Sequence, residues 1–128
     1  TGRFSALALA FGVVPGLYAA AVLLVNNTRD LVQDRRAGRT TLACLLGRQR
    51  AQQLYAVFLL LPFALLLPLA GALGQPWLGI VPLLLVPMAI MLVRRFGQRE
   101  GRALNQQLKD TARLQALLCA VLLGCLFI

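Results

Sequence analysis

Histidine is absent from the 128 residues, and Ser5 is the lone serine. Those gaps exclude a Ser-His triad, an imidazole base and a histidine-ligated metal. Acids are nearly as scarce: Asp30, Asp34, Glu100 and Asp110 stand against thirteen lysines and arginines, for a net charge of +9. Charged residues of both signs make up only 13% of the chain, well under the roughly 25% of ordinary soluble domains. Cys44, Cys119 and Cys125 show no C-x-x-C spacing and lie in or beside apolar stretches, so they read as reduced structural thiols.

What fills the chain is hydrocarbon: 59% of residues are hydrophobic, and the mean hydropathy is +0.77. The apolar residues come in runs longer than a water-soluble core of this size can cover, which predicts an integral membrane protein. A pI near 11.3 would suggest nucleic-acid binding in a soluble chain. Here the basic residues flank apolar runs, and that placement points to topology setting and attraction to anionic lipid, with no nucleic-acid partner.

Four hydrophobic segments, at 4–25, 54–73, 77–93 and 114–128, each approach the length of a membrane-crossing helix. The expected fold is all-α, an integral membrane bundle of about four transmembrane helices forming a single domain over residues 1–128. Pro15, Pro62, Pro68, Pro82 and Pro87 fall inside these runs, where proline is tolerated if neighbours satisfy the freed carbonyls, and they predict kinks. Between the second and third spans, GALGQPW is a tight turn, whereas the connections at 26–53 and 94–113 are long and polar. All the basic residues except Arg3 lie in those two connections. With four crossings both fall on one side, so the positive-inside bias predicts a multi-pass protein of the cell inner membrane with its polar connections in the cytoplasm. The helices are expected to run past the membrane surface, because DLVQDRRA and EGRALNQQLKDTARLQALL are rich in helix formers.

The chain begins Thr-Gly-Arg before an apolar run from Phe4 to Val25. That run has the length of a full span, whereas the core of a cleaved signal peptide is shorter. The expectation is therefore a missing start, with this sequence as the C-terminal part of a longer protein.

The stretch VNNTRDLVQDRRAGRTTLA interrupts the apolar pattern. On a helix, Asn26, Asp30 and Asp34 share one face and Asn27 lies close to it. Two carboxylates one turn apart repel, and desolvation near a bilayer adds to the cost unless a cation neutralises them. Magnesium suits such a pair, since it takes oxygen ligands and is held by one or two carboxylates together with substrate phosphates. Arg29, Arg35, Arg36 and Arg39 surround the pair, and guanidinium groups match diphosphate oxygens. A solvated loop in which the aspartates pair with those arginines accounts for the same charges, but such a loop has no need of the Asn-Asn pair directly after an apolar span.

The segment NNTRDLVQDRRAGRTTLACLLG resembles the second aspartate-rich motif of the UbiA superfamily of intramembrane prenyltransferases, most closely the branch acting on 1,4-dihydroxy-2-naphthoate in menaquinone biosynthesis. Asn26, Asn27, Arg29, Asp30, Asp34, Gly38, Thr41, Leu42, Ala43 and Gly47 match that pattern. LNQQLKDTARLQALL is similar to the branch's last connection, so the likeness covers almost the whole chain. Two positions depart: the branch's common lysine is Arg39 here, and the next basic position is Thr40. The superfamily's first aspartate-rich motif, in its N-terminal half, is not in this sequence.

The resemblance implies a magnesium-dependent enzyme in which both motifs hold a polyprenyl diphosphate, its C–O bond breaks, and the allylic cation is attacked by the aromatic ring, giving demethylmenaquinone. It assigns catalysis and the metal to Asp30 and Asp34. Substrate contacts fall to Asn26, Asn27, Arg29, Arg35 and Arg39, with Asn105 and Arg113 of the second connection within reach. Membrane lipid and an N-terminal half carrying the first motif are the implied partners. Other acceptors in the superfamily are 4-hydroxybenzoate, homogentisate and haem; Asn26-Asn27 before Arg29-Asp30 favours naphthoate. A transporter fragment or non-catalytic membrane subunit remains the rival from another class. For Tyr18, Tyr55, Phe58, Phe63 and Trp77, cation–π stabilisation of the allylic cation competes with packing, which is the commoner role of aromatics in spans, and Trp77 suits an interfacial anchor.

Overall fold

A computed structural model describes residues 2–126. Its elements are α1 (Gly2–Arg29), α2 (Leu31–Arg36), α3 (Leu42–Leu73), α4 (Trp77–Ile80), a 3₁₀ stretch (Val81–Leu85), α5 (Val86–Gln98) and α6 (Ala103–Leu126). No strand occurs among the described residues. Four long helical runs therefore make the expected all-α membrane bundle. Leu42–Leu73 and Trp77–Gln98 are each long and apolar enough to cross a membrane by themselves.

The helices outrun the apolar segments, as their flanking helix formers predict. The 28 residues of α1 extend about 42 Å and cannot fit within the roughly 30 Å of hydrocarbon. The polar end of α1 accordingly stands beyond the apolar run. The third span is composite, because Pro82 and Pro87 divide it and a 3₁₀ stretch fills the gap between α4 and α5. The last span begins earlier than its apolar run, at Ala103, and its expected final residues, 127 and 128, lie outside the described part.

A stripe from each helix builds the core: Val14, Tyr18, Ala21, Leu24 and Val25 of α1, Ala51, Tyr55, Leu59, Phe63, Leu66 and Ala70 of α3, and Ala89, Leu92 and Phe96 of α5. α6 adds Leu104, Gln107, Thr111, Leu114, Leu118, Leu122 and Cys125, a three-and-four spacing that puts one face inward. α1 packs on α3 and α6, and α3 also packs on α4 and α5. Large apolar residues such as Val57, Leu65, Leu67 and Leu84 point outward, the arrangement of a protein whose solvent is lipid.

Aromatic residues in this core pack. Tyr18 donates its hydroxyl proton to the Leu59 carbonyl at 3.1 Å, one residue after Phe58, whose carbonyl loses its helical donor at Pro62. Tyr55 stacks on Phe96 with ring centroids 4.6 Å apart. Trp77 is exposed at the start of α4, as an interfacial anchor would be.

The ends of the bundle differ in chemistry. At one end meet the C-terminus of α1, all of α2, the N-terminus of α3 and the α5–α6 connection, so both basic connections lie together. At the other, the Cys125 thiol reaches the Trp77 carbonyl at 3.6 Å, beside the short turn after Leu73.

Candidate functional site

The helix carrying the aspartate cluster is not continuous. It breaks at Asp30, whose φ of −94° and ψ of 11° leave the helical well. The hydrogen-bond ladder nevertheless steps across the break, from the Asp30 amide to the Asn26 carbonyl at 3.1 Å and from the Asp34 amide to the Asp30 carbonyl at 2.8 Å. Asn26, Asp30 and Asp34 thus remain one turn apart, while the single straight helix face expected from spacing is replaced by a kinked one.

Gly38 closes the segment. With φ of +74° it takes the left-handed conformation that ends helices and that glycine adopts at little cost. The Arg39 amide then folds back to the Asp34 carbonyl at 2.8 Å. That turn brings the Arg39 guanidinium to 4.0 Å from the Asp34 carboxylate, which is mostly shielded at 14% exposure while Arg39 stays open.

Asp30 is held from its own backbone neighbour. Arg29 donates from Nε to Oδ1 at 2.9 Å and from Nη2 to Oδ2 at 3.2 Å, a two-bond geometry stronger than a single contact. Its third nitrogen, Nη1, donates to Oδ1 of Asn105 on α6 at 2.9 Å. The Arg29 hydrogen bond holds the Asp30 carboxyl below the usual carboxylate range. Arg29, Asp30, Gln33, Gly101, Arg102 and Asn105 line one polar cleft of about 320 Å³. Arg29, Gln33 and Gly101 also border a second, of about 520 Å³, with Thr28, Arg36, Arg48 and Glu100 among its walls.

Of the residues expected at the site, the structure brings Arg29, Asp30 and Asn105 into one bonded set and keeps Asp34 a turn away with Arg39. Asn26 and Asn27 are half-buried on the last turn of α1, and Arg35 is exposed. Arg113 is drawn elsewhere, pairing with Asp110 at 3.7 Å, three residues earlier on α6.

A buried polar network escaped the sequence reading. Gln107 donates from Nε2 to the Tyr55 hydroxyl at 2.9 Å and to the Leu92 carbonyl at 2.7 Å, and Tyr55 and Thr111 share a hydrogen bond of 2.7 Å. Arg99 reaches Oε1 of Gln107 at 2.9 Å and Oδ2 of Asp110 at 3.0 Å. Burial pushes the Asp110 carboxyl up, but hydrogen bonds from Gln106 and Arg99 and the charges of Arg99 and Arg113 outweigh it, and the net shift is downward. Arg48 sits over the Phe96 ring, 4.9 Å from its centroid, and donates to the Phe96 and Arg99 carbonyls. It thereby fastens the α5–α6 connection against the N-terminal part of α3, which fixes the cleft wall carrying Gly101 and Asn105. The signal was the spacing of Gln107 and Thr111 with Leu104, Leu114 and Leu118, which places both polar residues on the buried stripe.

The donor set around the aspartates consists of carboxylate and amide oxygens, without imidazole or thiolate. That chemistry fits a hard divalent cation such as magnesium. Among the described residues no three acids, cysteines or histidines converge, so such an ion would need further oxygens from water, phosphate or other protein.

The described residues thus form an all-helical membrane bundle with a polar cleft of carboxylate, amide and guanidinium groups at one end. The chain belongs to the UbiA prenyltransferase family, whose model matches residues 1–117. It is similar to the UbiA prenyltransferase domain-containing protein 1 of Ailuropoda melanoleuca, 38% identical over 117 residues that make up 91% of this chain and 33% of that protein. The protein of the same name from Homo sapiens is 36% identical over an equal length, with the same coverage of both chains. The homolog from Drosophila melanogaster is 34% identical over 114 residues, 89% of this chain and 31% of that one. The chain thus spans about a third of the length of the curated relatives it matches. No solved structure matches it.

Proposed function

We propose that this chain supplies the second half of the active site of a membrane prenyltransferase that transfers a polyprenyl group from its diphosphate to 1,4-dihydroxy-2-naphthoate. The observation that carries this reading is the linked arrangement of Asp30, Arg29 and Asn105 at the mouth of a polar cleft, with Asp34 one turn on. Asp30 and Asp34 would hold magnesium, with Asn26 and Asn27 close by on the turn before. When bound there, the ion neutralises charge on the diphosphate and so eases its departure.

The chain's own residues divide the remaining work. Arg29, tethered through Asn105, would meet a diphosphate oxygen, and Arg35 and Arg39 would add positive charge from the exposed turn. The apolar groove of about 330 Å³ between α1 and α3, lined by Val13, Val14, Pro62, Leu65, Pro68 and Leu69 among others, supports accommodation of a hydrocarbon tail. Exclusion of water in such surroundings protects an allylic cation. Breaking the C–O bond sends its electron pair to the leaving pyrophosphate. The ring carbon bearing the acceptor's carboxylate then bonds to the allylic carbon, and the electron pair of the released carbon dioxide restores aromaticity, leaving demethylmenaquinone in its quinol form.

The relatives' names state a prenyltransferase domain and no acceptor, so 4-hydroxybenzoate, homogentisate and haem are arms of the same experiment. In a complete enzyme carrying this segment, pyrophosphate release should require magnesium and a polyprenyl diphosphate, with 1,4-dihydroxy-2-naphthoate the preferred acceptor. Asp30→Ala and Asp34→Ala should each lower turnover by about 100-fold or more. Near wild-type turnover by either variant at saturating magnesium would remove the ligand assignment, and preference for another acceptor would remove the naphthoate assignment alone.

A further inference from the structure

α5 is the most two-sided helix of the bundle. Ala89, Leu92 and Phe96 are buried against α3 and α6, while Pro87, Ile90, Met91, Arg94, Arg95 and Gln98 are largely open and line a groove of about 510 Å³. The groove is sorted along its length. Proline, isoleucine and methionine occupy the half within the membrane-crossing run, and two guanidinium groups with an amide occupy the end where the basic connections gather.

Its arginines have open guanidinium groups, as do Arg35, Arg36, Arg50 and Arg102, but they alone of these stand side by side above an apolar trough. Arg29, Arg39, Arg99 and Arg113 are paired with carboxylates, and Arg48 with backbone carbonyls. Among the described residues, Arg94 and Arg95 make neither an ion pair nor a side-chain hydrogen bond, and no acid lines the groove. Glu100, the nearest acid in sequence, borders the cleft on the other side of the α5–α6 connection. Two adjacent guanidinium groups above an apolar trough, at the level where a crossing helix leaves the hydrocarbon, complement a phosphodiester attached to acyl chains.

We infer that the outer face of α5 is a binding site for an anionic phospholipid, with the headgroup phosphate on Arg94 and Arg95 and an acyl chain along Pro87, Ile90 and Met91. The inference depends on membrane embedding alone and not on the reaction proposed above. It makes the lipid a fixed ligand of one helix face, beyond the diffuse attraction that a net charge of +9 produces.

The test compares wild type, Arg94→Gln/Arg95→Gln and Arg50→Gln/Lys109→Gln. The last pair removes the same charge from exposed positions off the groove. Each is extracted from vesicles of phosphatidylglycerol and phosphatidylcholine, and lipid retention is read by native mass spectrometry, with helical content checked by circular dichroism. Wild type and Arg50→Gln/Lys109→Gln should retain phosphatidylglycerol equally, and Arg94→Gln/Arg95→Gln about 30-fold less, at about fivefold per basic residue. Equal loss in both variants would reduce the effect to surface charge and overturn the site, as would full retention by Arg94→Gln/Arg95→Gln. Independently of folding in those variants, replacing Ile90 by a benzophenone-bearing amino acid and irradiating should give a phospholipid adduct, whereas a polypeptide adduct would assign the face to protein and overturn the inference.

Discussion

Arg29 has one guanidinium and three obligations at the mouth of the cleft: two bonds to Asp30 and one to Asn105. Because the pair is partly exposed, with side-chain exposures of 31% and 38%, its worth lies in geometry more than in stability. The sign of its pH dependence follows from the depressed Asp30 pKa. A carboxylate whose folded pKa lies below the unfolded one stabilises the protein fully above the unfolded value, about 3.9, and loses that contribution as pH falls through the folded value. The difference in melting temperature between wild type and Asp30→Asn should therefore hold constant from neutrality to about pH 4 and shrink below it. A difference that vanished already between pH 7 and 5 would show that Asp30 does not titrate as a paired acid. At this scale the clustering of Asn26, Arg29, Asp30 and Asp34 was legible from spacing, and the structure joins Arg29 to Asp30 and to Asn105. Gln107 and Thr111 carried only the signal of their spacing with Leu104, Leu114 and Leu118, because by type a polar residue reads as solvated until the helix that covers it is known.

Among the elements, α3 shows what spacing alone hides. Gly47, a matching residue of the NNTRD stretch, has φ of +77° and ψ of 172° inside an otherwise helical run, a region only glycine enters without strain. It separates the Thr41-capped turn, where the Cys44 amide donates to Oγ1 of Thr41 at 3.4 Å, from the part of α3 that enters the core. Gly38 bends the chain similarly after α2. Gly47→Ala and Gly38→Ala should each cost about 1–3 kcal/mol. Gly71→Ala, a helical site with nothing within 4 Å of the new methyl group, should stabilise by about 0.5–1 kcal/mol. Denaturation in detergent followed by circular dichroism reads both signs, and a stable Gly47→Ala would mean the kink is not required. The crossing helices were legible as apolar runs, since membrane solvation forces hydrophobicity all round. Their true ends were not, because the polar turns of α1, α3 and α6 are helical by propensity and packing rather than by hydropathy. The kink at Asp30 was equally hidden: no proline or glycine marks it.

For the whole molecule, the joining of both basic connections at one end through Arg29–Asn105 and Arg48's bonds to α5 makes their shared sidedness a property of the fold. The predicted side is the cytoplasm, from the concentration of arginine there. Single cysteines at Arg50 and Lys109, placed in a background with the three native cysteines replaced, should both be inaccessible to an impermeant reagent in intact cells, and labelling of both would reverse the orientation. The same geometry limits what 128 residues can do alone. One cleft wall bears Asp30, with Asp34 a turn away, and the α5–α6 connection contributes Gly101 and Asn105, yet among the described residues no three acids, cysteines or histidines converge. A diphosphate here would lack the charge compensation that the proposed reaction draws from the first aspartate-rich motif. The chain by itself, in liposomes with magnesium, a polyprenyl diphosphate and 1,4-dihydroxy-2-naphthoate, is therefore expected to release no pyrophosphate above background. Co-expression with a segment carrying the first aspartate-rich motif should restore release, because membrane helices inserted separately still associate through packing. Robust turnover by the isolated chain would refute the half-site reading; Asp30, Asp34 and their arginines would then suffice, with two copies facing one another as the arrangement to test next by cross-linking.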